Sequence, residues 1–317
     1  MSVLTAAHFH NEAAAYEFVE SRIWAKGVNC PHCGNADEAK IGNLAGASTR
    51  IGVRKCYACR KPFTVKVGTI FEASHIALHL WLQAIFLMAS SKKGISSNQL
   101  HRTLGITLKS AWFMSHRIRE AMRAGSLGPM GGAGSIIEAD ETYFGQNDVQ
   151  STMRADGQPY KYKSGKKPGP AGKRAVVALV ERGGDVRSFH VDKATKVNVA
   201  AIVAQNVNHE AVLNTDESRL YTEVGALFAA HHTVNHSGKE YVRGDAYTNT
   251  IEGVFSIFKR GMKGIYQHCG EKHLHRYLAE YDFRYNNRVA RGIDDVNRAE
   301  RLLKGFSGKR LTYQTIN

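Results

Sequence analysis

Asp140 lies in Ser-Ile-Ile-Glu-Ala-Asp-Glu-Thr-Tyr-Phe-Gly, residues 135 to 145, where β-branched and aromatic residues surround a central acid. Glycines at 131, 132 and 134 precede it, so the stretch reads as a strand reached from a flexible link. Alternation places Glu138, Asp140 and Thr142 on one face and Ile137, Ala139, Glu141 and Tyr143 on the other. A carboxylate on a rigid strand is suited to hold a divalent cation, although solvated acids on edge strands are also common. Further along, Ala211-Val-Leu-Asn-Thr-Asp216 reads as a short strand ending in a second acid. Within residues 249 to 263, Asn249, Glu252, Ser256, Lys259 and Lys263 share a polar helical stripe. Ile251, Val254, Phe255, Phe258 and Met262 form a separate apolar stripe. Asn249 and Glu252, one turn apart, can both point at a metal, with Lys259 beyond them to meet a phosphate. Such oxygen ligands suit Mg²⁺ or Mn²⁺, which keep waters, accept substrate phosphates and clamp the oxygens of an in-line phosphoryl displacement.

A second chemistry is written in cysteine. Four of the five cysteines form two pairs, Cys30-Pro-His-Cys33 and Cys56-Tyr-Ala-Cys59, with 22 residues between them. Paired C-x-x-C knuckles supply four thiolates that converge on one structural zinc ion. Disulfides are the alternative, disfavoured in a chain that opens without a secretory pattern, since its first twenty residues hold Glu12 and Glu17 and lack a basic-then-apolar leader. On that reading the protein is cytoplasmic. Residues 52 to 55 and 63 to 67 alternate like short strands, which predicts a ribbon of two hairpins; His32 could serve as a ligand, but four cysteines already fill the shell.

The elements around Asp140 must bring the acids together. Residues 174 to 181 and 186 to 192 read as strands joined by Arg-Gly-Gly-Asp, and 197 to 208 as a helix. After the strand ending at Asp216, residues 218 to 229 read as a helix, 231 to 236 as a strand and 248 to 263 as a helix. Three strands in a meander followed by helical crossovers give the element order of an RNase H-like mixed sheet, an α/β fold whose first and fourth strands are neighbours. That adjacency would join Asp140 to Asp216, a repulsive pair unless a cation sits between them.

Lys plus Arg outnumber Asp plus Glu by 43 to 28, a net charge of +15 spread along the chain. A polyanion is the natural partner, and nucleic acid is favoured over membrane. The longest apolar stretch, residues 76 to 90, is too short to span a bilayer and is interrupted by His79 and Gln83. After it, Ser96 or Ser97 can cap a helix holding Leu100 and Leu104, Gly105 makes a turn, and Thr107 can cap a second helix. This spacing predicts a helix-turn-helix whose second helix exposes Lys109, Ser110, His116, Arg117 and Arg119 to DNA. An ordinary helical hairpin with a solvated basic face is the alternative. Residues 161 to 173 form a basic, Gly/Pro-rich loop containing Lys166 and Lys167, suited to an anion. Residues 266 to 289 are helical in their later part. Beyond them Arg288, Arg291, Arg298, Arg301, Lys304, Lys309 and Arg310 mark a basic tail that either tracks DNA or is solvated. His268, Cys269, His273 and His275, like His231, His232 and His236, have spacings poor for a second zinc.

Taken together, these stretches resemble the zinc-ribbon, DDE-type bacterial transposases of the insertion sequence 1595 family. The resemblance rests on both cysteine knuckles, Glu138-Ala-Asp-Glu-Thr-Tyr-Phe-Gly145, Asn214-Thr-Asp-Glu217 and Thr248-Asn-Thr-Ile-Glu-Gly-Val-Phe-Ser-Ile-Phe-Lys-Arg-Gly261. It also takes in His273-Leu-His-Arg-Tyr-Leu and Phe283-Arg-Tyr-Asn-Asn-Arg288. It implies Asp140 and Asp216 as metal ligands and Asn249 as the third member in branches that carry Asn. Glu252, with 35 residues between it and Asp216 and with Lys259 seven further on, has the integrase-like spacing, so both stay candidates. The expected organisation is an N-terminal helical segment (1–27), a zinc ribbon (28–72), a helix-turn-helix domain (73–130), the RNase H-like catalytic domain (131–265) and a C-terminal helix with basic tail (266–317). The implied activity is Mg²⁺-dependent cleavage and strand transfer by a homo-oligomer on double-stranded transposon ends and target DNA. Two alternatives are an inactive, transposase-derived DNA-binding regulator and an RNase H-like structure-selective nuclease.

Overall fold

The computed structural model describes residues 2–125, 127–145, 172–234, 247–306, 308, 309 and 311. The chain divides into two compact units, one of Met1–Ala124 with Asn287–Asn317 and one of Gly125–Asn286. The segment expected as C-terminal helix and tail is thus shared between them.

In the first unit, α1 (Glu12–Ile23) begins at Asn11, whose side chain accepts the Ala14 N–H at 3.0 Å. The ribbon follows as β1 (Ile41–Asn43), β2 (Arg54–Cys56) and β3 (Pro62–Phe63), paired antiparallel in that order. The apolar stretch becomes α2 (Leu78–Ser90), which buries Leu78, Trp81, Leu82, Ile85 and Met88. Its N-cap residue, Ala77, has no side-chain acceptor, and the Glu12 carboxylate takes the Leu78 and His79 N–H groups instead, at 2.8 and 3.1 Å. Next come α3 (Ser97–Leu104) and α4 (Leu108–Met122), capped by Ser96 and Thr107 as their sequence predicts. Between them Gly105 takes φ +65°, a left-handed value that glycine adopts without strain.

His116, Arg117 and Arg119 depart from expectation. They are 1, 5 and 0% exposed. Arg117 donates to the Ile70 and Glu72 carbonyls and Arg119 to the Ser115 hydroxyl, so these cations hold the helical core together and do not form a DNA-reading surface. Lys109 is exposed and Ser110 partly so. The supposed basic tail also contains a helix that sequence reading missed, α9 (Asp295–Lys304), which buries Leu302 and Leu303, with Phe306 buried just beyond it. Arg298, 6% exposed, donates to the carbonyls of Ala89, Ile293 and Asn287.

The second unit is a five-stranded sheet: β4 (Ile136–Phe144), β5 (Arg174–Glu181), β6 (Val186–Val191), β7 (Val212–Asp216) and β8 (Ala230–Val234). Their order across it is β6-β5-β4-β7-β8. The first three are antiparallel, while β7 and β8 run parallel to β4, the mixed sheet the element order predicts. Helix α5 (Lys196–Asn206) packs Val199 and Val203 against Ile137, Ala139, Val177, Leu179 and Leu213. On the opposite face, Val176, Ala178 and Val180 meet Ile251, Val254, Phe255 and Phe258 of α7 (Asn249–Gly261) and Leu274, Tyr277, Leu278 and Tyr281 of α8 (Leu274–Asn286). Alternation along β5 thereby feeds two separate cores. The helix expected over 218 to 229 is confined to α6 (Thr222–Gly225). At its end the His231 ring lies so close to Gly225 that a Cβ there would stand 2.0 Å from Nδ1. β6 is an edge strand, but Asn286 and Asp282 of α8 take its Val186 and Ser188 N–H groups, both at 2.7 Å, and blunt the edge. Among the described residues no helix is long and apolar enough to cross a membrane.

Candidate metal centres and the acidic cleft

Cys30 and Cys33 flank the turn before the ribbon strands, while Cys56 ends β2 and Cys59 follows it in a turn. Their four Sγ atoms lie within 4.8 Å of one another, with Cys30–Cys59 at 3.7 Å and Cys33–Cys56 at 3.8 Å. Tetrahedral zinc with bonds of about 2.3 Å sets its sulfurs about 3.8 Å apart, so the group fits zinc. The Cys59 and Ala58 N–H groups draw the Cys56 thiol down to about 7, while the Cys33 thiol, against the pull of the Asn35 N–H, is pushed up to about 12 by desolvation and hydrogen bonds with its three neighbours, as in a group of thiols that titrate together. His32 stands outside the group, its Nε2 facing the Pro62 carbonyl at 3.3 Å.

The acids gather on the α7 side of the sheet. β4 and β7 pair Ile136 with Val212, Ile137 with Leu213 and Glu138 with Asn214. The same register carried two residues further sets Asp140 beside Asp216, and the pleat directs both toward the face carrying Glu138. The Asp140 carboxyl is pushed up to about 8, first by burial and then by the charges of Asp216, Glu141 and Glu252; the Glu141 N–H, 2.7 Å from Oδ1, opposes that rise. Asp216 accepts the Ser218 N–H at 3.0 Å.

Asp140, Thr142, Glu252, Ser256, Lys259 and Lys263 line an open cleft of about 530 Å³. The last four follow one helical row along α7 and the turn that continues it at Lys263, so the predicted stripe faces the acids, Asn249 excepted. That residue is the exposed first residue of α7 and does not line the cleft. Burial lowers the Lys259 pKa, and the nearby Asp140 carboxylate draws it back up. Among the described residues the four cysteines alone bring three or more His, Cys, Asp or Glu ligand atoms within 4.8 Å. Asp140, Asp216 and Glu252 are therefore not a closed cage. Magnesium binds through one or two carboxylates and keeps its waters, so Asp140 on the open cleft, with Asp216 on the neighbouring strand, fits it. Lys166, Lys167 and His236 lie outside the described residues.

Two features escaped sequence reading. Glu141, on the opposite face of β4, accepts the hydroxyl of fully buried Tyr221 at 2.9 Å, and burial raises its pKa. Glu138, fully buried, is bound to the first turn of α7: it accepts the Ile251 N–H at 3.0 Å, the Thr250 hydroxyl at 2.9 Å and Arg182 Nε at 2.8 Å. The one available signal was an acid at even spacing from Asp140 on an inward face, which requires partners.

Two family models match the chain: the ISXO2-like transposase domain over residues 131–286 and the transposase zinc-ribbon domain over residues 10–62. A protein described as an uncharacterized protein in transposable element ISH50, from Halobacterium salinarum, is 26% identical over 262 residues, covering 80% of this chain and 83% of that one. The Mos1 transposase paired-end complex with left transposon end aligns at 12% identity, covering 65% of this chain and 76% of that one, with a TM-score of 0.22. The Mos1 strand transfer complex aligns at 10% identity, covering 65% and 75%, with a TM-score of 0.19. Those two likenesses are too distant to carry weight. With a zinc ribbon and a transposase domain matched in that order along most of its length, this protein belongs to the insertion sequence 1595 family of transposases.

Proposed function

We propose that the protein binds the terminal repeats of its own insertion sequence and performs divalent-metal-dependent cleavage and strand transfer on that DNA. The observation that carries this reading is Asp140 in a cleft shared with Glu252 and Lys259, with Asp216 on the neighbouring parallel strand two residues past the paired Glu138 and Asn214 and its charge felt by Asp140. Held by the two aspartates, Mg²⁺ or Mn²⁺ supplies charge stabilisation to the attacking and leaving oxygens of a phosphodiester. A cation bound there would hold the Asp140 carboxylate ionised against the upward push of burial, and Glu252 or Asn249 would add a third oxygen. Lys259, two turns beyond Glu252, meets a non-bridging phosphate oxygen. Catalysis is then positioning plus electrostatics, with no covalent step on the protein.

The zinc ribbon and the α3–α4 pair are the modules assigned to end recognition. With His116, Arg117 and Arg119 buried, contact falls to the N-terminal turn of α4, where Lys109 and Ser110 stand. Lys166 and Lys167 are assigned to phosphates. Each transposon end needs its own active site, so two or more subunits assemble on paired ends.

The test is cleavage and joining of a labelled duplex carrying the terminal repeat, in Mg²⁺ or EDTA, by wild type and Asp216→Ala. Metal-dependent products that disappear in the variant support the proposal. Specific binding without products from wild type favours a DNA-binding regulator, and cutting of junctions or hybrids with no cognate end favours a structure-selective nuclease.

A further inference from the structure

We infer that Glu138 is a positioning residue of the acidic cleft, holding the first turn of α7 so that Glu252 is presented to Asp140; this inference rests on the function proposed above. α7 begins after Thr248, whose side chain makes no capping bond. The first N–H groups of a helix need acceptors and carry the positive end of its dipole. Glu138 meets that need from another element: one carboxylate oxygen takes the Ile251 N–H and the other takes the Thr250 hydroxyl. Asn249 precedes and Glu252 follows this pair of anchors, and the strand bearing Glu138 bears Asp140 two residues later on the same face. The apolar face of α7 seats the helix on the sheet, and the buried Glu138 side chain sets where its first turn, and with it Glu252, stands relative to Asp140.

Arg182 completes the clamp. Its Nε donates to Glu138 at 2.8 Å, its Nη2 donates to the Tyr247 carbonyl at 2.8 Å, and its guanidinium lies 3.4 Å from the centre of the Tyr247 ring. The backbone just before α7 is thus tied to the same carboxylate that holds the first turn. A fully buried acid with three donors is costly to assemble unless its geometry is used. Its donors come from the β5–β6 turn and from α7.

The experiment compares wild type, Glu138→Gln and Thr250→Val in the full chain. Thr250→Val removes one donor with little change in shape and serves if Glu138→Gln folds poorly. Three readouts are taken: Mn²⁺ affinity of the DNA-free protein by electron paramagnetic resonance, hydrogen exchange of residues 249–255, and cleavage rate against Mg²⁺ concentration on the terminal-repeat duplex. Disturbing a residue that orients ligands costs about 10–100-fold in metal affinity or activity. Glu138→Gln should weaken Mn²⁺ binding and shift half-maximal Mg²⁺ by about that much, with faster exchange at the start of α7 and unchanged duplex affinity. Thr250→Val should shift both metal readouts in the same direction by about threefold. Metal affinity within twofold of wild type in both variants overturns the inference. So does a loss of duplex binding and thermal stability in step with activity, which marks a purely structural role. A wild type that shows no metal-dependent cleavage fails the parent proposal, and the Mn²⁺ and exchange readouts then judge the clamp alone.

Discussion

Asp140 and Asp216 each follow, two residues later and on the same face, the paired Glu138 and Asn214 of two parallel strands. The Asp216 charge helps push the Asp140 carboxyl up, so the two acids lie close enough to repel one another. In the absence of a cation this arrangement destabilises the protein, and a bound cation reverses the sign. In EDTA near pH 7, Asp140→Asn should melt higher than wild type, because burial and the Asp216 charge force the native Asp140 carboxyl to take up a proton, a cost that the amide does not carry. Millimolar Mg²⁺ should raise the wild-type melting temperature and leave Asp140→Asn unmoved. Asp216→Ala should lower cleavage by about a thousandfold or more, measured on the terminal-repeat duplex.

The ribbon should depend on its metal. One zinc per chain should be measured by atomic emission, and Cys56→Ser should lose most of it. A ribbon whose strands are three, three and two residues long has too little core to fold without such a staple. Chelation should therefore abolish hydrogen-exchange protection of the Cys56 and Tyr57 amides while residues 174–181 stay protected.

Lys109 and Arg117 lie on the same helix but should behave in opposite ways. Lys109→Ala should weaken binding to the terminal repeat and reduce the slope of log affinity against log salt by about one. Arg117→Met should leave that slope unchanged while lowering stability by about 2–4 kcal/mol, because the Ile70 and Glu72 carbonyls lose a buried donor. Salt-dependent fluorescence anisotropy and denaturant titration separate the two effects.

Asp282 gives the edge of the sheet a pH dependence. Burial pushes its carboxyl up to about 7, while the hydroxyl and N–H of Ser188 oppose that rise. A folded value above the unfolded one means that the native state holds the proton more tightly. This contribution to stability is complete below about pH 4 and is lost as pH rises through about 7. Asp282→Asn keeps an acceptor for Ser188 and has no charge to bury. Its stability relative to wild type should increase from about pH 4 to 7 by about 1 kcal/mol per pH unit and level off above that, read by urea titration.

Sequence alone determined what short-range spacing controls. The 138–140–142 alternation, the two cysteine pairs, the caps at Ser96 and Thr107 and the polar row 252–256–259–263 all reappear in the structure, because each is set by strand or helix geometry within a few residues. Element order also sufficed for the sheet, since helical crossovers leave few permitted topologies. Tertiary structure decided which polar groups face inward. A basic stripe on α4 reads as solvent-facing until the carbonyls of Ile70 and Glu72, more than forty residues away, turn Arg117 inward. The charged run of α9 conceals Leu302 and Leu303, whose burial becomes visible only where that helix packs. Glu138 is the clearest case, because its donors are 44, 112 and 113 residues distant. Nothing local requires an acid to accept them; folding brings an uncapped helix start to a strand, and the cost of burying unpaired polar groups then fixes the clamp.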